Sequence, residues 1–161
     1  MKRTVSLITA GLAVAALTFG GASLASADTS APDQAEQSSL AFSRQEEKMA
    51  HDLYTALGAK YESAVWDRIA NSEQRHFDAV GRLLDQFDVA DPTSGDAAGT
   101  YDDKTLQGLY DEWLEQGQES EDAAFKAAIE LEKRDIADLE VQIEATDNDD
   151  IKAVYERLLA G

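Results

Sequence analysis

A chain of 161 residues with 32 acidic side chains against 14 basic ones, a net charge of −18, repels phosphate, which excludes nucleic acid and anionic membrane surfaces as partners. It has no cysteine, which removes disulfides, thiolate metal sites, c-type haem attachment and cysteine catalysis together. His51 and His76 are the only imidazoles, and neither accompanies the Gly-x-Ser-x-Gly turn or strand pattern of a Ser-His-Asp hydrolase.

The chain begins with basic Lys2 and Arg3, an apolar stretch over 5–19 and a small-residue site at Ala25-Ser26-Ala27. This order predicts a secretory signal peptide over 1–27, too short to remain as a membrane span. The mature chain then starts at Asp28, is secreted or extracytoplasmic, has no membrane partner after cleavage, and has lost two basic residues and no acid. Residues 28–40 are polar and read as a disordered leader. Residues 41–161 suffice for one domain with a single core.

Helical periodicity dominates that domain, and no stretch alternates long enough for a sheet. The first helix is predicted over about 44–57, with Ser43 as N-cap and Gly58 as its stop. Ser43-x-x-Glu46 has the form of a capping box, which accounts for Glu46. Glu47 is left on the buried side with Ala50, Tyr54 and Leu57, while His51 reads as a surface residue near the helix edge. The second helix, over about 64–87, has an inward seam of Trp66, Ile69, Glu73, His76, Val80, Leu83 and Phe87. Glu73 and His76 lie one turn apart and point the same way. A core carboxylate is costly without a partner. Glu-x-x-His in a bundle interior is a dimetal ligand arrangement, and the competing reading is a neutral hydrogen-bonded pair kept for packing.

A Gly/Pro/Asp/Thr stretch follows over 88–103, then a short amphipathic helix carrying Leu106, Leu109 and Trp113. Ser120 caps a long helix reaching about 145, with a seam of Phe125, Ile129, Glu132, Ile136, Leu139 and Ile143, and with Asp135 on its flank. Glu130 points away and pairs with Arg134 at i+4. Asp147 caps the last helix, which has Ile151, Val154 and Leu158 inward and Glu156 toward solvent.

Short links join the first two and the last two long helices, so each pair is an antiparallel hairpin. The long connection between hairpins predicts an all-α, ferritin-like four-helix bundle; a solenoid would need an internal repeat, and none is present. At 1.5 Å per residue Glu47 lies roughly 15 Å, and Glu73 roughly 13–14 Å, from their shared turn, so the two are level.

Three segments carry a resemblance: Glu46-Glu47-Lys48-Met49-Ala50-His51-Asp52-Leu53-Tyr54, Asn71-Ser72-Glu73-Gln74-Arg75-His76, and Glu132-Lys133-Arg134-Asp135-Ile136-Ala137-Asp138-Leu139. They resemble the DUF2202 family, placed in the ferritin-like superfamily beside rubrerythrin. The resemblance implies metal ligands at Glu47, Glu73, His76 and Glu132, with Asp135 as a second carboxylate on the same helix. Ferritin-like sites also draw a ligand from the fourth helix. Here that helix ends where its ligands should begin, so the chain is truncated or the site incomplete. Phe125 and Ile129 should then be partly uncovered, with metal held loosely and a homodimer closing the gap. The functional expectation is an exported protein with an iron or manganese centre, di-iron if complete, that oxidises Fe(II) or removes peroxide as a ferroxidase- or peroxidase-type oxidoreductase. Its rival is a non-catalytic exported bundle or interaction module with a relic site.

Overall fold

The computed structural model describes residues 30–161, so the signal peptide expected over 1–27 lies outside the described residues. Five helices follow in order: α1 (Gln34–Tyr61), α2 (Ala64–Gln86), α3 (Lys104–Glu119), α4 (Glu121–Ala145) and α5 (Asp149–Leu159), with no strand among the described residues. None of these helices is long and apolar enough to cross a membrane.

The start of α1 corrects the sequence reading. Asp33, not Ser43, is the N-cap: Glu36 N–H donates to Asp33 Oδ1 (2.9 Å) and Asp33 N–H to Glu36 Oε2 (3.0 Å). From Gln34 onward the supposed disordered leader is helix, because this capping box satisfies its first amides and Leu40 is fully buried. Ser43 therefore sits inside the helix, where its hydroxyl donates to Gln142 Oε1 at 2.6 Å. Nor does Gly58 end α1. The helix runs on to Tyr61, whose hydroxyl donates to Gly117 O at 2.6 Å, and Glu62 closes it with φ +51°. Gly58 instead permits close approach of α2, since a Cβ there would stand 3.1 Å from Trp66 Cβ.

Helices α1 and α2 pack as one pair and α4 and α5 as another; α1 also touches α4, and α2 touches α5. The α3 helix lies against α1 and α4. Its cap is Asp103, and Leu106 and Trp113 are buried as the periodicity predicts. Asn148 rather than Asp147 caps α5, being held in place by its N–H to Glu36 Oε1 (3.1 Å) and its side-chain amide to Ser30 O (2.8 Å).

The core forms two apolar clusters. Met49, Leu53, Tyr54, Leu57, Trp66, Ala124 and Leu131 belong to one; Leu40, Val80, Leu83, Leu139, Ile151 and Tyr155 belong to the other. On α1, α2 and α4 alike, the residues between the clusters include acids: Glu46 and Glu47, Glu73, and Glu132 and Asp135. A polar layer thus interrupts the core at one level.

The buried face of α4 differs from its predicted seam. Ala124, Ala127, Ala128, Leu131 and Leu139 are buried, whereas Phe125, Ile129 and Ile136 are 37%, 53% and 44% exposed. The small alanines pack into one cluster with residues of α1 and α3, while Phe125 and Ile129 are partly uncovered as expected from the sequence.

The connection between α2 and α3 is tied down by charge. Arg44 pairs with Asp91 at 2.8 Å and donates to the Phe77 carbonyl, and Lys48 pairs with Asp52 at 2.7 Å. The same Asp52 oxygen accepts from Gly99 N–H (2.9 Å) and Tyr101 hydroxyl (2.8 Å). Gly99 has φ +74° with the Tyr110 ring against it, so a side chain there would be strained and would clash.

Candidate metal centre

Helix α1 presents Glu47 to the interior because Ala50, Tyr54 and Leu57 on the same face are buried in the core. Helix α2 presents Glu73 and His76 one turn apart between Trp66 and Val80. One ligand atom from each of Glu47, Glu73 and His76 lies within 4.8 Å of the other two. Glu47 is 2% and Glu73 6% exposed. His76 Nδ1 stands 3.5 Å from Glu47 Oε2 and 3.4 Å from Glu73 Oε2, yet it is buried without a hydrogen-bond partner. The attraction is therefore that of charges facing each other, not of a directed bond.

Helix α4 adds two acids. Glu132 Oε1 accepts a 2.6 Å hydrogen bond from the Tyr54 hydroxyl. Asp135 lies close enough to Glu47, Glu73 and Glu132 for their charges to act on it. Burial drives the Glu47 carboxyl above its ordinary range, with His76 pulling against it. Burial and then the three neighbouring carboxylates push Asp135 up. Burial also raises Glu132, with the Tyr54 hydrogen bond opposing. The carboxylates of Glu47 and Glu73 push His76 upward despite its own burial. One imidazole thus faces four carboxylates, an excess of buried negative charge that a cation would relieve.

The layer opens to a cavity of about 340 Å³, with Glu73, His76, Glu132 and Asp135 on its polar side and Ile69, Ile136, Leu158 and Leu159 on its apolar side. Gly161 lies against His76 Nε2, for a Cβ on it would be 3.0 Å away. Oxygen and nitrogen donors of this kind could hold a metal cation.

The structure brings together Glu47, Glu73 and His76 and sets Glu132 and Asp135 beside them. It keeps the other candidates apart. His51 is partly exposed, 3.5 Å from Asp52 Oδ1, and Glu156 is exposed. Glu46, read from sequence as a capping residue, is a buried carboxylate at 3% exposure. Burial, then Asp135 and Asp138, push it up to about 9. Arg134 turns to it, Nε lying 3.5 Å from Glu46 Oε1, and pairs with Asp138 at 3.1 Å instead of with exposed Glu130. The signal for Glu46 was the earlier Asp33-x-x-Glu36 box, which takes the capping role away from Ser43. Tyr54 was read as a packing residue; it shares the helix face of Glu47, and it is its hydroxyl that reaches the layer, at Glu132.

Residues 36–161 match the family described as "Uncharacterized protein domain (DUF2202)". The uncharacterized protein MJ0754 of Methanocaldococcus jannaschii is 42% identical over 126 residues, which make up 78% of this chain and 68% of that protein. The crystal structure of hypothetical protein MJ0754 from Methanococcus jannaschii is similar with a TM-score of 0.77 and 41% identity, covering 80% of this chain and 73% of that one.

Proposed function

The chain belongs to the DUF2202 family, and from the geometry of its buried acid layer we propose that it is a ferritin-like bundle holding iron or manganese between α1, α2 and α4. The observation that carries this reading is His76 Nδ1, buried, unpartnered and within 3.5 Å of two carboxylates that are themselves almost wholly buried. A hydrogen-bonded Glu–His pair kept for packing would leave no such orphan.

Each side chain has a part in this reading. Glu47 and Glu73 bind and neutralise the cation, and His76 supplies the nitrogen donor. Glu132, oriented by the Tyr54 hydroxyl, and Asp135 supply further oxygens from α4. The adjoining cavity admits a small oxidant. Iron held there would supply the redox capacity to oxidise Fe(II) or to remove peroxide. The basic, apolar and small-residue order of 1–27 supports export, so the reaction would take place outside the cytoplasm.

The test is metal analysis after native purification, followed by absorbance on adding Fe(II) in air. Stoichiometric iron or manganese with an oxidation signal supports the reading. Absence of both favours the second reading, a non-catalytic interaction module, for which the exposed Phe125, Ile129 and Ile136 on α4 are the specific observation.

A further inference from the structure

Six arginines lie in the described helices, and two of them pair with acids, Arg44 with Asp91 and Arg134 with Asp138. The other four, Arg68, Arg75, Arg82 and Arg157, are exposed and form no ion pair among the described residues. Their placement is not scattered. Arg68, Arg75 and Arg82 recur every seventh residue of α2, so they share one stripe about 21 Å long. Arg157 of α5 borders the same cavity of about 220 Å³ as Arg82. Ser72, Ala79 and Gln86 alternate with the three arginines in steps of four and three, the spacing of a seam on which a second helix packs. Ser72 and Ala79 are small, which lets another backbone come close. The cavity floor is Ala79, Leu83 and Val154, and no acid lines it. A merely solvated basic face would carry acids three or four residues from each arginine, where they pair along the helix. Arg68 and Arg157 have none at those positions, and only Asp78 and Asp85 flank Arg75 and Arg82. In a chain with 32 acids, this face is left with unpaired positive charge.

We propose that this ridge docks an acidic helix of a partner protein. Carboxylates seven residues apart on that helix meet Arg68, Arg75 and Arg82 in turn. An apolar side chain beside the last of them seats between Arg82 and Arg157 on the cavity floor. Guanidinium suits this task, since its fork offers two parallel N–H donors to one carboxylate. The net charge of −18 sets the size of the partner's acidic patch. At physiological ionic strength each charge is screened beyond about 8 Å, so a short acidic helix feels the ridge and little else. A long polyanion would run past the ridge onto acid-rich surface and be repelled. Arg68 also lines the cavity that opens on the acid layer, so the helix docks beside its mouth. The proposal uses no group of that layer and stands apart from the metal reading.

The probe is a fluorescent, alanine-rich helical peptide of about 21 residues, with glutamates seven apart and one leucine beside the last. A second peptide has the same composition with its glutamates clustered at one end. Anisotropy follows the binding of each to the full-length chain. The spaced peptide should bind at least about fivefold more tightly than the clustered one. Arg75→Gln and Arg82→Gln should each weaken it about threefold, and together about tenfold, the scale of exposed charge pairs. Lys126→Gln, at an exposed position on α4, should change nothing. Raising sodium chloride from about 0.1 M to about 0.5 M should weaken the spaced peptide and narrow its advantage. All substitutions are at exposed positions, and circular dichroism checks their helical content. Equal affinity for the two peptides, or binding unmoved by the arginine variants, overturns the proposal. So does tighter binding of heparin than of the spaced peptide, which would mark a polyanion site. Self-association that Arg82→Gln abolishes, seen by light scattering, would give the ridge to a second copy and overturn it as well.

Discussion

His76 Nδ1 on α2 stands 3.5 Å from Glu47 Oε2 on α1, and no hydrogen bond joins them. The pair lies at the level where both apolar clusters stop, and His76 Nδ1 is buried there without gaining a directed partner. That condition makes the layer sensitive to a bound cation.

Replacing Glu73 or His76 by alanine should lower bound iron or manganese affinity by at least about tenfold, the scale already seen for outer-shell changes around metals. Exposed Glu130→Ala should leave it unchanged. Elemental analysis and competitive chelation at equal helical content check this. Equal affinity across the three variants would remove the centre from these residues.

Glu46 yields a prediction about pH. Its carboxyl is pushed from 4.5 up to about 9, chiefly by burial, so the folded state binds the proton more tightly than the unfolded one. Stability from this group therefore falls as pH rises between those two values. Glu46→Gln keeps the shape without the charge, and should stabilise the metal-free chain at pH 8 by about 1–3 kcal/mol, the scale of an uncompensated buried polar group. Little change is expected at pH 4. Urea unfolding at both values tests the sign; a variant weaker at pH 8 contradicts it.

Asp52 behaves oppositely. Burial raises it, but Lys48, the Gly99 N–H and the Tyr101 hydroxyl outweigh burial and leave it below 3.8. Its contribution is present above the unfolded pKa and lost as pH falls through the lower folded value. Asp52→Asn leaves the Lys48 ammonium with only the Ala97 and Thr100 carbonyls and loosens the connection between α2 and α3, at a cost of about 3–5 kcal/mol near neutral pH. Thermal melts should show that cost shrinking on acidification. A uniform loss at all pH values would mean that the charge is irrelevant.

The uncovered side of α4 bears on assembly. Ile129 and Ile136 are exposed on α4, and Ile136 lines the cavity. Static light scattering should find a concentration-dependent dimer, and Ile129→Glu should shift it toward monomer without changing thermal stability by more than about 0.5 kcal/mol, as befits an exposed position. A wild-type chain that stays monomeric at high concentration would refute the dimer.

Much of this was legible in the chain. The bounds of α2 and α4 follow from Ser120, from hydrophobic period and from the turn chemistry between helices. These are local or one-dimensional properties, and each helix carries them with it. Glu47 and Glu73 do meet, but the residue rise that set them level counted from Gly58, whereas α1 runs on to Tyr61, so their meeting rests on how the helices pack. The start of α1 was also written locally, in Asp33 and Glu36, but a polar composition hid it behind a second capping pattern at Ser43.

The face that α4 buries was legible only in part: Phe125 and Ile129 are partly uncovered as the sequence reading expected, but the inward turn of the alanines was not foreseen. Phe125, Ile129 and Ile136 are the larger hydrophobes, yet the alanines at 124, 127 and 128 went inside. Periodicity gives the spacing of a stripe, whereas the neighbours that reach it decide which stripe is covered. Only the tertiary structure showed that α3 lies on α4, and only it converted Glu46 from a cap into a buried acid beside Arg134. Burial is a property of pairs of surfaces, and a single helix, read alone, carries one surface of each pair.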